Sequence, residues 1–291
     1  MHTIAVTGGN GRIGEAILAD LNDHGYRTVN LARGKRREDE SDQYITTNLI
    51  EPGEVYGALA LADPDAVIHM GTIPHPRGTP GYVTFDSNVR STYLILEAAG
   101  GLGIDTVCLA SSINALGASF QDVPPDVSYL PLDEDHPCTP RDPYAIGKHA
   151  LEVVADGFGR MDGSPRHIAS LRYPWVATED ELRTRFVDAD RSDESNLLAE
   201  PGGRNELFAY IHIDDAAAVA RAAIEAEIGG HEVYWTVADD TTATIETTEL
   251  TETFYPEADI DAGLSGEASL ISTAKAGEQL GWSADRSWRR L

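Results

Sequence analysis

Two side chains near the middle of the chain could move a proton. Tyr144 and Lys148 are four residues apart, in a segment that follows Pro143 and has the composition of a helix. Residues at this spacing lie on one helix face. Because an ammonium group stabilises a nearby phenolate, we expect Lys148 to lower the pKa of Tyr144 from about 10 toward the working range of a general acid or base.

A pair of hydroxyl groups, Ser111 and Ser112, ends an apolar run that begins at Val107. The run predicts a buried strand, and ligands bind at the carboxyl ends of parallel strands in open α/β sheets. A hydroxyl group there could hydrogen-bond a substrate carbonyl or alkoxide oxygen and hold it near Tyr144. We assign this role to Ser112 and interpret Ser111 as a cap or turn residue.

A glycine-rich turn near the N-terminus has the spacing of a dinucleotide-binding loop. It lies between a predicted strand and a predicted helix and reads Thr7-Gly8-Gly9-Asn10-Gly11-Arg12-Ile13-Gly14. Glycines at these positions allow a tight turn and a close approach to a pyrophosphate, and the helix N-terminus favours the anion. Together with the Tyr–Lys pair, this turn predicts nicotinamide redox chemistry.

The end of the second predicted strand bears on the choice of cofactor. A carboxylate there would hydrogen-bond the ribose 2′-hydroxyl of NAD, whereas an arginine accommodates the 2′-phosphate of NADP. The chain has no carboxylate at this place and reads Asn30-Leu31-Ala32-Arg33-Gly34-Lys35-Arg36-Arg37. We therefore favour NADP over NAD, with Arg33 at the phosphate; the alternative is a solvated basic turn.

Strand-length apolar runs alternate with helix-length amphipathic segments through the first 175 residues. The predicted strands are residues 3–7, 27–31, 66–70, 106–110 and 168–173, and the predicted helices are residues 11–24, 54–61, 86–100 and 143–158. This alternation is typical of an α/β fold with a doubly wound parallel sheet of Rossmann type.

The pattern changes after residue 175. A polar, acidic stretch over residues 178–205 is followed by a strand and helix over 210–226 and an apolar run over 233–237. We predict that residues 1–175 and 208–238 form the dinucleotide-binding Rossmann domain, and that residues 176–207 and 239–291 form a small discontinuous substrate lobe. We interpret His212 and Asp214, at the predicted strand–helix junction, as a strand end and a helix cap.

The chain is strongly acidic, with a formal net charge of -26 and only three lysines in 291 residues. This charge repels nucleic acid and anionic membranes. Multimolar salt would screen the self-repulsion, because the Debye length falls to about 3 Å at 1 M, so we interpret the surface as halophilic. No charged-then-apolar leader and no apolar run of roughly 18 residues is present, so we expect a cytoplasmic protein without a membrane span. The two cysteines have no zinc-site spacing, and we expect no metal.

Ordered motifs along almost the whole chain resemble those of the extended short-chain dehydrogenases/reductases, of the NAD-dependent epimerase/dehydratase type. They are the glycine turn, Asn48-Leu49, His69-Met70-Gly71, Asn88-Val89-Arg90-Ser91-Thr92, Ser111-Ser112, Tyr144 with Lys148, Leu171-Arg172-Tyr173-Pro174, Tyr210-Ile211-His212-Ile213-Asp214-Asp215 and Leu280-Gly281-Trp282. The resemblance implies that Tyr144 is the catalytic acid/base, that Lys148 also binds the nicotinamide ribose, and that Ser112 polarises the reacting oxygen.

The resemblance also implies which residues contact the cofactor, with Asn48 near the adenine. They are Gly8, Gly11, Arg12, Ile13, Gly14, Arg33, Asn48, Leu49, Met70, Gly71, Asn88, Lys148 and Tyr173. Members of the family often pair two helices that correspond to residues 86–100 and 143–158, so we expect a homodimer.

Two groups within the family resemble the chain. Nucleotide-sugar epimerases such as UDP-galactose 4-epimerase have a longer insert, and they place Arg-Asp where this chain has Phe208-Ala209. The short insert and the loop from His69 to Ile73 resemble uronate dehydrogenase more closely, although Ile113-Asn114 replaces the Asn-His that follows the serine pair there. The candidate substrate contacts are Thr72, His75, Arg77, Asn114 and Arg204.

Three functions remain open from the sequence. The first is an NADP-linked or NAD-linked oxidoreductase that transfers a hydride between nicotinamide and a sugar or sugar-acid hydroxyl or carbonyl group, with Tyr144 as acid/base. The second is a nucleotide-sugar epimerase or dehydratase with tightly bound NAD and no net redox change. The third is a non-catalytic dinucleotide sensor, against which the complete set of Ser112, Tyr144 and Lys148 argues.

Overall fold

Seven parallel strands form the central sheet of the computed structural model, which describes residues 2–36, 40–75, 77–120, 124–189 and 201–291. The strands along the chain are β1 (Thr3–Thr7), β2 (Arg27–Ala32), β3 (Gln43–Thr46), β4 (Ala66–His69), β5 (Thr106–Ser112), β6 (Tyr129–Leu130), β7 (His167–Tyr173), β8 (Trp175–Ala177), β9 (Tyr210–His212), β10 (Gly230–Trp235) and β11 (Asp259–Ile260). The order across the central sheet is β10-β7-β5-β4-β1-β2-β3. This order confirms the predicted Rossmann-type fold.

Helices cover both faces of this sheet. They are α1 (Arg12–Asp23), α2 (Pro52–Ala62), α3 (Gly81–Leu102), α4 (Pro143–Gly159), α5 (Glu179–Leu182), α6 (Ile213–Glu225), α7 (Thr247–Phe254) and α8 (Ala274–Leu280). The apolar faces of α1 and α6 pack on one side, and those of α2, α3 and α4 pack on the other. No helix in the described part of the chain is long and apolar enough to cross a membrane.

Strand β3 and helix α3 are among the elements that differ from the sequence prediction. The short strand β3 was not predicted because it forms the sheet edge, where its side chains are half-buried or exposed and no apolar run is required. Helix α3 begins at Gly81, before the predicted start at residue 86. Glycine is a weak helix former, but here its missing side chain allows contact, since a Cβ atom would lie 2.6 Å from Pro143 Cγ.

Two small parallel sheets lie outside the central one, β8 with β9 and β6 with β11. Apolar side chains from residues 113–132 pack in one core with side chains from residues 207–271. The segment that joins β5 to α4 therefore contributes to the core on the lobe side of the molecule. Residues 190–200 of the predicted lobe lie outside the described residues.

The strand order reverses at β1, which lies between β4 and β2. Such a reversal opens a crevice at the carboxyl ends of the strands, where open α/β sheets bind ligands. A cavity of about 940 Å³ occupies this crevice. Its walls come from the ends of β1, β2, β4, β5 and β7 and from the lobe.

Candidate active site

The glycine turn after β1 is packed too tightly for side chains. Gly8 has a φ of +69°, and a Cβ atom added to it would lie 2.8 Å from the Cα atom of Gly71. A Cβ atom on Gly14 would collide with the carbonyl oxygen of Gly8. The glycines therefore bring the turn against the loop after β4 and bring the start of α1 against the turn.

The N-terminus of α1 borders the cavity without a side-chain cap. Gly11 is the N-cap residue, its backbone is extended, and no side-chain cap hydrogen bond is made. The first N–H groups of a helix lack intrahelical partners, and the helix dipole favours an anion beside them. Gly11, Arg12, Ile13 and Gly14 all line the cavity. These residues fit the pyrophosphate of a dinucleotide.

Lys148 lies on the buried face of α4, and two acceptors fix its ammonium group. Nζ donates to the carbonyl oxygen of Ala110 at 2.6 Å and to Oγ1 of Thr72 at 3.2 Å. Burial lowers the pKa of Lys148 to about 7, and the charge of Glu152 opposes this shift. The side chain thus ties α4 to the end of β5 and to the loop after β4.

Tyr144 lies in the first turn of α4, where Asp142 caps the helix by accepting its backbone N–H at 2.9 Å. Burial raises the pKa of Tyr144 to about 12, and interaction with the Ser112 hydroxyl group opposes this shift. The expectation that Lys148 lowers this pKa is wrong. Nζ of Lys148 lies over the ring face, 5.6 Å from the ring centroid. Burial is therefore the largest influence on the pKa of Tyr144. At neutral pH Tyr144 is therefore a neutral phenol that can donate a proton.

Asn114 determines how Ser112 can act. The Ser112 Oγ atom accepts hydrogen bonds from the backbone N–H of Asn114 at 3.2 Å and from its Nδ2 at 3.0 Å. A hydroxyl oxygen has two lone pairs, so both are used. Ser112 is left with its proton to donate, toward Tyr144 or toward a substrate oxygen in the cavity. Oδ1 of Asn114 is buried and has no hydrogen-bond partner among the described residues.

A buried ion pair lies behind these residues. Glu152 accepts from Nε of Arg172 at 3.0 Å, from the second guanidinium nitrogen at 2.9 Å and from Ser111 Oγ at 2.5 Å. Both charged side chains are about 95 % buried, with exposures of 5% and 5%. Glu152 lies one helical turn after Lys148, and its network joins α4, β5 and β7. Ser111 therefore has a structural role, whereas Ser112 borders Tyr144.

His69 at the end of β4 is a structural side chain. Its Nδ1 lies 2.7 Å from Thr7 Oγ1 and its Nε2 lies 3.2 Å from Ser91 Oγ, so it joins β1 to α3. Burial, followed by the charge of Lys148, lowers its pKa to about 3. The ring is therefore neutral in the folded protein throughout the physiological pH range.

This shift makes stability depend on pH. Below pH 6.5 the unfolded chain protonates His69 and the folded chain does not, so stability decreases as the pH falls from 6.5 to about 3. Between pH 7 and pH 5 this contribution amounts to about 2 kcal/mol. We expect urea titrations at pH 7 and pH 5 to show that this contribution to the free energy of unfolding is absent in His69→Gln. An equal acid sensitivity of the variant and the wild type would contradict the assignment.

Most residues predicted to contact the cofactor line the cavity together with Ser112 and Tyr144. They are Gly8, Gly11, Arg12, Ile13, Gly14, Arg33, Asn48, Leu49, Met70, Gly71, Lys148 and Tyr173. Asn88 does not line it. Its Oδ1 accepts from the N–H of Ile73 at 2.7 Å and its Nδ2 donates to the Ile73 carbonyl at 3.0 Å, so it holds the loop after β4 in place.

Some of the candidate substrate contacts line the cavity and others do not. Thr72, Arg77 and Asn114 line the cavity, whereas His75 and Arg204 do not. Arg204 packs instead against α7, with its guanidinium 5.8 Å from the centre of the Phe254 ring. This position gives it a role in the lobe core rather than at the cavity.

The junction between β9 and α6 has no catalytic geometry. Nδ1 of His212 accepts the backbone N–H of Asp214 at 3.1 Å, and His212 is the N-cap residue of α6. This confirms His212 as the strand end, but the predicted cap is wrong, since His212 itself caps α6 and Asp214 lies in the first turn of the helix.

Several cavity residues were not singled out from the sequence. Trp175 follows the end of β7, Ser119 and Phe120 follow the short helix after β5, and Glu206 comes from the lobe. Only Trp175 had a signal, its position at the carboxyl end of a predicted strand. The others reach the cavity through loop and lobe packing, which no local pattern reveals.

Residues 4–235 match the family described as the NAD dependent epimerase/dehydratase family. The match covers most of the chain and includes the glycine turn, the serine pair and the Tyr–Lys pair. The chain belongs to this family of enzymes.

Individual relatives agree with this assignment. A putative UDP-glucose 4-epimerase of Methanocaldococcus jannaschii is 27% identical over 220 residues, which cover 72% of this chain and 69% of the relative. A solved UDP-glucose 4-epimerase of Thermotoga maritima has a TM-score of 0.70 at 19% identity and covers 98% of this chain and 94% of its own. A mutated uronate dehydrogenase has a TM-score of 0.68 at 18% identity, over 99% and 83% of the two chains. Both solved structures share the fold of this chain.

Proposed function

We propose that this protein is an NADP-linked dehydrogenase or reductase that acts on a hydroxyl or carbonyl group of a sugar or sugar acid. The observation that supports this proposal is that Ser112, Tyr144 and Lys148 line the same cavity as the glycine turn. A substrate in this cavity has a hydrogen-bond donor and a proton donor on one side, and a pyrophosphate site lies in the same crevice. A dinucleotide sensor has no need of the buried phenol.

Ser112, Tyr144 and Lys148 have different roles, and the cofactor would supply the hydride as NADPH in reduction or accept it as NADP⁺ in oxidation. In the reductive direction Ser112 donates a hydrogen bond to the substrate carbonyl oxygen, and Tyr144 transfers its proton to that oxygen. In the oxidative direction the base is the Tyr144 phenolate, which takes the hydroxyl proton and which forms at alkaline pH because burial raises the pKa of Tyr144. Lys148 contributes through its position, because its Nζ ties α4 to the end of β5 and to the loop after β4.

The decisive experiment follows the absorbance of reduced nicotinamide in the purified protein at high salt. NADP or NAD is mixed with free sugars, uronic acids and sugar nucleotides, and the products are analysed. We expect an absorbance change with a free sugar or a sugar acid. Similarity to the UDP-glucose 4-epimerase relative supports a second candidate, and constant absorbance with an isomerised sugar nucleotide would establish that epimerase instead.

The proposal of NADP depends on Arg33, which is exposed at the end of β2 and lines the cavity. Hydrogen bonds to a charged group contribute about 1.5–3 kcal/mol, so we expect Arg33→Ala to raise the KM for NADP roughly ten- to hundredfold and to change that for NAD little. Lys35→Ala removes a neighbouring charge and serves as the control. A wild-type preference for NAD would contradict the proposal. Arg37 of the same basic run lies outside the described residues.

We also propose that the protein forms a homodimer through α3 and α4. These helices pack side by side and expose Tyr82, Phe85 and Tyr93 on α3 and Ile146 and Val153 on α4. Large apolar side chains exposed on two adjacent helices form a surface that a second copy can cover.

The dimer has a direct test. We expect the double variant Ile146→Glu, Val153→Glu to sediment as a monomer in molar KCl, because it places charges in a buried interface. Leu61→Glu, which changes an exposed leucine on α2, leaves the dimer intact. A monomeric wild type, or a dimeric double variant, would exclude this interface.

A further inference from the structure

Arg77 is a cation in the part of the cavity wall that adjoins Phe120 and Tyr144. Its N–H groups have no hydrogen-bond partner among the described residues. It lies in the loop between β4 and α3, lines the cavity, and holds its guanidinium 5.5 Å from the centre of the Phe120 ring. Phe120 in turn packs edge-to-face on Tyr144, with 5.8 Å between the ring centroids. Within the described ranges, Arg77 makes no hydrogen bond and no ion pair.

The other described cations of the cavity are already engaged or lie elsewhere. Arg12 pairs with Glu181 across the cleft. Lys148 donates to Ala110 and Thr72. Arg33 follows β2, where we propose the cofactor phosphate. Arg77 is thus the described cation that remains available to a substrate.

The carboxylate of Glu206, which also lines the cavity, makes no ion pair with Arg77. Its Oε1 accepts from Ser119 Oγ at 2.7 Å, and its Oε2 accepts from the backbone N–H of Gly202 at 2.5 Å. The side chain is buried, with 8% exposure. Glu206 therefore fixes Ser119, and with it the neighbouring Phe120, against the lobe.

This arrangement suits an anion. Contact with an aromatic ring occupies the face of a guanidinium and leaves the N–H groups at its edge free, and that edge matches a carboxylate or a phosphate in a bidentate manner. The net charge of -26 repels an anionic ligand at long range, so its capture requires a local cation.

We propose that Arg77 binds an anionic group of the substrate, a carboxylate or a phosphate, and so positions the reacting carbon at Ser112 and Tyr144. The proposal rests on the proposed dehydrogenase function, and it restricts the substrate class to sugars that carry such a group. Of the two arginines that the sequence suggested as substrate contacts, Arg77 lines the cavity and Arg204 does not.

The test compares matched substrates in the wild type and in Arg77→Gln, each with NADP. Glucose, glucuronate and glucose 6-phosphate form one set, and the galactose compounds form another. We expect the wild type to favour one anionic member over the neutral sugar by roughly ten- to hundredfold in kcat/KM, as loss of a charge-assisted hydrogen bond predicts. The variant loses this preference mainly through a higher KM for the anionic sugar. The two anions distinguish a carboxylate from a phosphate.

A second variant and a salt series distinguish the effect of the charge of Arg77 from the effect of removing any positive charge. Arg160→Gln removes an exposed arginine that follows α4 and does not line the cavity, so it keeps the preference for the anion. Rising KCl lowers the preference in the wild type relative to that in Arg77→Gln, because salt screens the partly exposed charge pair only where Arg77 is present. A wild type that prefers neutral sugars, or a variant that keeps the preference for the anion, overturns the role of Arg77 and leaves the dehydrogenase function standing.

A binding experiment decides the case without turnover. If no substrate changes the nicotinamide absorbance, the dehydrogenase function fails, and glucuronate and glucose 6-phosphate are titrated calorimetrically into protein saturated with NADP. Binding of either anion that weakens at least about tenfold in Arg77→Gln supports the role of Arg77. No binding of either anion, or binding that the variant does not change, overturns it.

Discussion

Tyr144→Phe is expected to reduce kcat by about 10²–10⁴-fold while NADP binding persists, because it removes the one proton that the mechanism transfers. The ring remains, so its edge-to-face contact with Phe120 and its burial against the cavity wall are kept. Ser112 still donates a hydrogen bond to the substrate oxygen, and this interaction accounts for the residual rate. Initial rates and a fluorescence titration with NADPH measure the two quantities separately.

Tyr56→Phe is the matched control for this prediction. Tyr56 lies on α2, away from the cavity, and its hydroxyl group donates to the Glu97 carbonyl at 3.1 Å. Its loss therefore removes one hydroxyl hydrogen bond without touching the proposed chemistry. A wild-type rate in Tyr144→Phe would refute the acid/base assignment, and equal losses in both variants would show that the effect comes from packing.

The features that the sequence predicted are local in the chain. Tyr144 and Lys148 share a face of α4 because their spacing determines it, and Ser112 ends β5 because an apolar run stops there. The glycine turn requires its glycines for steric reasons that apply wherever this turn joins a strand to a helix. Each of these predictions needed only the geometry of one element and its end.

The features that the sequence did not predict depend on tertiary packing. The amide of Asn88 could face a cofactor or a loop, and only the position of Ile73 shows that it holds the loop. Arg204 was placed near the substrate from its position in the chain, but α7 offers Phe254 as a closer partner. The pKa of Tyr144 was expected to fall because a lysine is near, whereas burial, which the sequence does not quantify, raises it.

Glu152→Ala is expected to lower the free energy of unfolding by about 3–5 kcal/mol, since it leaves the guanidinium of Arg172 buried without its counter-charge. Ser111 loses its acceptor in the same variant. Arg172 keeps a 3.3 Å hydrogen bond to Cys138 and the face of Trp235, which are neutral, and the charge of Glu134, whose effect on Arg172 is smaller than that of Glu152. Urea denaturation of the variant and the wild type gives the difference directly.

A double variant distinguishes loss of the pair from loss of packing. Replacing both partners with apolar residues of similar size, Glu152→Leu with Arg172→Met, removes the unpaired charge, and such replacements are often neutral in stability. We therefore expect the double variant to recover most of the stability that Glu152→Ala loses. The charge of Glu152 also raises the pKa of Lys148, so the double variant leaves that pKa lower than in the wild type. A loss below about 1 kcal/mol in Glu152→Ala would mean that water reaches Arg172 and that the ion pair contributes little to stability.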